Sequence, residues 1–351
     1  MNIDIQIAKE ILLNLLHIYS PSGNEEPIAK YIYDLLIDNN INAELMHISG
    51  RSYNIIVNNI EKPKLLIASH MDTISTFFLP KQEENNVISG TGACDAKGSI
   101  TAMILSLIEE GKNLPKNISF GFFSDEESSG SGSAHYLIAH KPKFSLILEP
   151  TKLKICLEGC GSVEGTIFVQ TRRIHPAVAN KLREKHSILL GINLIKSLSK
   201  ELSKQGLEFI IYAINAGNKE NFFVPDKCEI TFNILIPHEK TARDCLYLLR
   251  ELSSRYNFDF IVNEYSDPFR LQDRGYIEKI ENAYRMTFSS EPQYIIMPSW
   301  TDANNFAKYN IPTAIFGPGS LSVAHSEYEK IDLHEIISAY RFIKNIIRSF
   351  K

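Results

Sequence analysis

Two imidazoles, His70 and His325, and the carboxylates Asp72, Asp95, Glu126, Glu127 and Glu149 are the groups in this 351-residue chain whose type and grouping can do chemistry. They fall in five clusters: SHMDT at 69–73, GTGACDAKG at 90–98, SDEES at 124–128, EPT at 149–151 and GPGSLSVAH at 317–325. Singly, each has an ordinary explanation, since a lone histidine is more often structural and a run such as DEE is more often a solvated turn. Together, imidazoles with several carboxylates describe a site for a first-row divalent cation, zinc before others and cobalt as an alternative. There are more carboxylates than one closed structural zinc needs. The surplus suits two ions about 3.5–4 Å apart, bridged by one carboxylate and a water, an arrangement used for hydrolysis.

Within SHMDT, Asp72 stands two residues beyond His70, where it can accept the second ring N–H and fix the tautomer of a ligating imidazole. In DEE, two adjacent glutamates cannot be equivalent ligands without strain. One is expected to bind metal while the other takes the proton of the attacking water. Rival motifs are weak. GTGACDAKG is no dinucleotide fingerprint, because Asp95 stands where the third glycine belongs, and no Gly-Lys-Ser/Thr follows to make a phosphate loop. GSGS at 130–133 is not a nucleophile elbow, and CLEGC at 156–160 has a spacing unusual for zinc, so its cysteines read as small core residues.

These residues need elements to bring them together. From residue 64 to 149, apolar strand-like runs alternate with helical ones (KLLIASH, GSITAMILSLIEEG, NISFGFFSDEE, SAHYLIAHK, FSLILEP), the signature of a doubly wound α/β sheet. Runs without polar alternation fit strands buried on both faces, and ligands of such sheets collect beyond the carboxyl ends of the strands. After Thr151 the rhythm changes to long alternating strands (SVEGTIFVQT, EFIIYAINAG, KCEITFNILIP, FDFIVNEY) with helices near 178–204 and 240–256. From about residue 270 the shorter α/β rhythm returns. The expected organisation is a catalytic α/β domain of residues 1–154 and 269–351, interrupted by an inserted α+β domain of residues 155–268.

Lys and Arg number 37 and Asp and Glu 41, a net charge of 37 − 41 = −4. That balance makes nucleic acid a poor partner. No apolar stretch reaches the roughly 18 residues of a membrane span, and the amino terminus lacks a basic run before its apolar residues, so neither a membrane nor a signal peptide is expected. Five cysteines without paired CxxC spacing fit a reducing compartment, and the expected location is the cytoplasm.

The set SHMDT, GTGACDAKG, SDEES, EPT and a late GPG…AH, in that order along the whole chain, resembles the co-catalytic zinc family of acetylornithine deacetylase, succinyl-diaminopimelate desuccinylase and glutamate carboxypeptidase. The resemblance implies that His70 and Glu149 hold the two metals individually, that Asp95 is the bridging carboxylate, and that Glu127 and His325 are the remaining ligands. Glu126 matches the general base, with Asp72 behind His70. The implied reaction is hydrolysis of an amide by a metal-activated water, Glu126 taking its proton and handing it to the departing amine. It also implies that the insert is a ferredoxin-like lid and dimerisation domain, whose His175 crosses to a partner subunit to polarise the scissile carbonyl. Substrate contacts are implied at Asn221, Thr301, Asp302 and Gly319.

Within that family, the compact length and the wording GTGACDAKGS resemble the members that release lysine or ornithine from an amino-group carrier protein, or deacetylate N-acetyl-lysine or N-acetyl-ornithine. The implied partner is a small N-acyl amino acid or an acidic carrier. Two departures touch the substrate. Leu235 stands where an arginine commonly clamps the substrate carboxylate, and Ser299, Trp300, Thr301 and Asp302 replace a G-T-S-D motif. Residues 171–186 carry five Lys/Arg and one Glu on an acidic protein, which suits a landing patch for an acidic carrier. An aminopeptidase or dipeptidase of the same family is the alternative enzyme, and a non-catalytic binding descendant a further one.

Overall fold

The strands leading into the clusters are apolar and sheathed on both faces. A computed structural model describes residues 5–182, 186–217 and 222–350, and every residue of Leu65–His70 and of Ile118–Phe123 is buried. A strand without a wet face needs cover on both sides, which parallel α/β architecture supplies.

The chain forms two compact units, one of Met1–Glu158, Arg270–Met297 and Thr301–Lys351, the other of Gly159–Phe269 and Pro298–Trp300. Among the described residues, the first unit is built on a nine-stranded mixed sheet. Its centre is four parallel strands in the order Ile118–Phe123, Leu65–His70, Ser145–Ile147 and Thr313–Ile315. The antiparallel hairpin Ala43–Ser49 and Ser52–Val57 adds to the first of these. Strands Ile155–Gly159, Phe269–Arg270 and Tyr294–Met297 complete the sheet.

Helices Ile5–His17, Lys97–Glu110, Arg274–Phe288 and Leu333–Ser349 pack among themselves, as do Ser131–Ala139 and Asp302–Lys308. The last long helix shows why: Leu333, Ile336, Ile337, Tyr340, Ile343 and Ile347 recur at helical spacing and are all buried. Asp332 caps it, accepting the His334 N–H at 2.8 Å. A small three-stranded sheet (Lys81–Gln82, Val87–Ser89 and Lys330–Asp332) stands apart from the main one.

The second unit is a four-stranded antiparallel sheet, in the order Glu208–Ala216, Lys227–Ile236, Gly161–Gln170 and Asp259–Ser266, with helices Ser187–Ser203 and Ala242–Tyr256. Each helix links two strands separated in the sheet by a third, the ferredoxin-like arrangement. Its core joins Val163, Ile167, Ile230 and Phe232 of the sheet to Leu194, Leu198, Cys245 and Leu249 of the helices. Among the described residues, no helix is long and apolar enough to cross a membrane.

Candidate metal centre

Because the four central strands run parallel, their carboxyl ends share one edge, and each cluster of acids and histidines is reached from that edge. His70 ends its strand. Residues 124–127 follow Ile118–Phe123, Glu149 follows Ser145–Ile147 by two residues, and His325 lies on the loop after Thr313–Ile315. Asp95 immediately precedes the helix Lys97–Glu110, joined to Ala96 by a cis peptide bond.

His70 Nε2 lies 3.1 Å from Asp95 Oδ1 and 3.8 Å from Glu149 Oε2. His325 Nε2 lies 2.8 Å from Glu127 Oε1 and 3.5 Å from Asp95 Oδ2. Asp95 thus turns one oxygen to each imidazole. Ligand atoms of His70, Asp95 and Glu127 all fall within 4.8 Å of one another. His70, Asp95 and Glu149 are buried, whereas the His325 side chain is 49% exposed.

Asp72 serves His70 differently from the expectation. The nearest acceptor for Nδ1 is the Asp72 backbone oxygen at 3.0 Å, with the carboxylate at 3.5 Å. The carboxylate is drawn to better donors: it accepts the N–H of Glu126 at 3.1 Å, that of Glu127 at 3.0 Å and the Ser22 hydroxyl at 2.7 Å. Burial alone would raise Asp72, but His70, Ser22 and the backbone outweigh it and hold it below the usual carboxylate value.

The other acids are held in the opposite sense. Burial, opposed by His70 and reinforced by neighbouring carboxylates, pushes Glu126 and Glu149 well above the carboxylate range. Glu127 is raised by burial despite its bond to His325, and burial lifts Asp302 to about 7. The Glu127 hydrogen bond carries His325 up to about 9. Burial disfavours a charged His70, yet Glu126 and Glu149 keep its pKa well above the ordinary value. Burial is the first cause of the raised carboxylates, and the clustered acids add a negative potential that also raises both imidazoles. Glu149 Oε1 is buried without a hydrogen-bond partner. Clustered carboxylates, two imidazole nitrogens facing them and an orphan oxygen on Glu149 are a donor set that fits divalent cations.

Asp302 is fully buried, with Oδ1 on the Ser133 hydroxyl and Oδ2 lacking a partner. Thr301 caps the helix Asp302–Lys308 in a capping box with Asn304. Gly319 has φ +81°, and a Cβ there would come 2.4 Å from that of Cys94, so glycine is required behind the Asp95 loop. His175 belongs to the second unit, where it is exposed and its Nδ1 accepts the Ala177 N–H at 3.2 Å. Leu235 is buried in the strand Lys227–Ile236. Asn221 and Arg183 lie outside the described residues.

Reasoning from the sequence overlooked the acceptors that fix the ligand loops. Glu329 Oε1 accepts the N–H groups of Cys94 and Asp95, each at 3.1 Å, and so holds the Asp95 loop. Asn54 Oδ1 accepts the Ser124 N–H at 3.1 Å and Glu25 Oε1 that of Asp125 at 3.0 Å. Polar letters inside SPSGNEE at 20–26 and SEYEK at 326–330 were the available signal, without spacing to say which backbone donor each would meet.

Residues 66–349 match the family model Peptidase family M20/M25/M40, and the chain belongs to that family, as an enzyme of the hydrolase class. A LysW-lysine/LysW-ornithine hydrolase of Saccharolobus islandicus is 28% identical over 343 residues, covering 94% of this chain and 92% of its own. A tripeptidase from Staphylococcus aureus superposes with a TM-score of 0.78 at 19% identity, over 99% of both chains. A dinuclear metal-binding peptidase from Bacillus subtilis gives a TM-score of 0.66 at 15% identity, over 98% of this chain and 97% of its own.

Proposed function

We propose that this protein hydrolyses the amide that links lysine or ornithine to an acidic amino-group carrier protein, using two divalent cations, zinc first. The observation carrying the reading is Asp95, whose two oxygens face His70 at 3.1 Å and His325 at 3.5 Å as a bridging carboxylate must. His70 and Glu149 would hold one cation and Glu127 and His325 the other. The carrier is suggested by the name of the Saccharolobus relative, and a pair of ions is in keeping with the Bacillus peptidase.

When bound, the ions supply Lewis acidity, which polarises the scissile carbonyl and makes water nucleophilic near neutral pH. The chain does the rest. Asp72 holds the backbone of Glu126 and Glu127 in place. Glu126, raised toward protonation by burial, takes a proton from the attacking water and returns it to the leaving nitrogen, one carboxylate acting as base and then acid. His175 is proposed to hydrogen-bond the scissile carbonyl from the partner of a homodimer.

The test is metal content per chain together with turnover of carrier-linked lysine, N-acetyl-lysine, N-acetyl-ornithine, γ-glutamyl-lysine and dipeptides. Two ions per chain and a preference for the carrier-linked amide are expected. Faster cleavage of dipeptides than of any acylated side-chain amine would move the protein to the peptidase reading.

A further inference from the structure

The turn at 124–127 is secured by side chains from three other segments. Ser124 donates its N–H to Asn54 Oδ1 at 3.1 Å, Asp125 to Glu25 Oε1 at 3.0 Å, and Glu126 and Glu127 to the two oxygens of Asp72 at 3.1 and 3.0 Å. Four consecutive N–H groups are thus fixed by acceptors distant in sequence. Such a turn cannot drift without breaking several buried hydrogen bonds.

Glu25 holds the left-handed residue of the turn. Asp125 has φ +63°, a left-handed backbone that L-residues other than Asn and Asp rarely adopt. Glu25 is fully buried, and its carboxylate meets donors on both oxygens, Gly23 N–H at 3.0 Å beside Asp125 on Oε1 and the Ser52 hydroxyl at 2.6 Å on Oε2. It makes none of the contacts described for His70, Asp95, Glu127, Glu149 and His325.

We propose that Glu25 is a positioning residue for the hydrolysis: its carboxylate locks the left-handed turn at Asp125 and so aims the next side chain, Glu126, at the reacting water. The inference rests on Glu126 as the base. A base displaced by a fraction of a bond length loses rate while substrate affinity and metal ligation survive, because neither depends on where its oxygen points.

The experiment compares wild type with Glu25→Ala, Glu25→Gln and Glu126→Gln for kcat, KM and metal per chain. Glu25→Ala is expected to lower kcat about 10²-fold with KM within about threefold and both metals retained. Glu25→Gln, whose amide oxygen can still accept the Asp125 N–H, is expected to recover most of that rate. A Glu25→Ala enzyme within about threefold of wild type in kcat, a loss matched by lost metal, or no recovery in Glu25→Gln overturns the proposal. Glu126→Gln at full rate overturns the base assignment and this proposal with it. An inactive Glu126→Gln beside a fully active Glu25→Ala overturns the role of Glu25 alone. Should Glu25→Ala not fold, Ser52→Ala removes one mooring of the carboxylate. A kcat about 3- to 10-fold lower at unchanged metal content then supports the proposal, and an unchanged kcat overturns it.

Discussion

Asp72 Oδ1 accepts the backbone N–H of Glu126 at 3.1 Å, so the acid behind one histidine also carries the residue proposed to move the proton. The same carboxylate accepts the Glu127 N–H, so Asp72→Ala is expected to damage two things at once, loosening Glu127 to lower metal affinity about 10- to 100-fold and Glu126 to lower kcat by at least about 10²-fold. Calorimetric zinc titration beside steady-state kinetics checks it. Wild-type affinity in that variant would separate Asp72 from the metal centre.

Glu126→Gln should act on the rate alone. The amide keeps the shape and removes the basic oxygen, so both metals stay bound while kcat falls about 10²- to 10⁴-fold. Retained activity would exclude this residue as the base.

Chelation should abolish turnover reversibly and lower the thermal midpoint. An ion present at about 100 times its Kd adds roughly 2.7 kcal/mol to the folded state if the unfolded chain does not bind it. A rate that survives exhaustive dialysis against a chelator would refute the metal reading, as would a melting curve indifferent to added zinc.

A pH signature is expected from Lys97, a buried ammonium whose Nζ donates to the Ile18 carbonyl at 2.8 Å. Burial, against the pull of Glu329 and Asp72, lowers its pKa from 10.5 to about 7. Between those values the unfolded chain carries a proton that the folded chain lacks, so this group's contribution to stability improves as pH rises. Its penalty is complete below about pH 7. Lys97→Met in the metal-free protein should thus raise the melting temperature more at about pH 6 than at about pH 9, and a gain independent of pH contradicts the assignment.

The basic stretch at 171–186 gives a salt-dependent prediction. Arg173 lies 3.4 Å from Asp226 and over the Phe223 ring at 4.2 Å. Changing Arg172, Arg173, Lys181 and Arg183 to Glu should lower kcat/KM for a carrier-linked substrate most at low salt, and leave small acyl-lysines unaffected. Equal kcat/KM at every ionic strength would remove the docking idea.

The five clusters were legible because each follows an apolar strand, and parallel strands buried on both faces must present their ends together. His70 and Glu149 could be expected at one sheet edge on those grounds though 79 residues separate them. Glu25, Asn54 and Glu329 were not legible. Each acts by accepting a backbone N–H, and a backbone donor leaves no letter in the sequence to match against: Glu25 and Asp125 are 100 residues apart with nothing in either neighbourhood to announce the bond. The hairpin Ala43–Ser49 and Ser52–Val57 escaped notice for a related reason. Its first strand lies largely in solvent, so the apolar alternation that betrays a half-buried strand is faint.

His325 comes from beyond the second unit, while His70, Asp95, Glu127 and Glu149 all precede it. Translation accordingly makes the four residues that precede the second unit before it makes the fifth. On the proposed reading, a nascent chain that stops within the second unit lacks His325, one of the five side chains that would hold the ions.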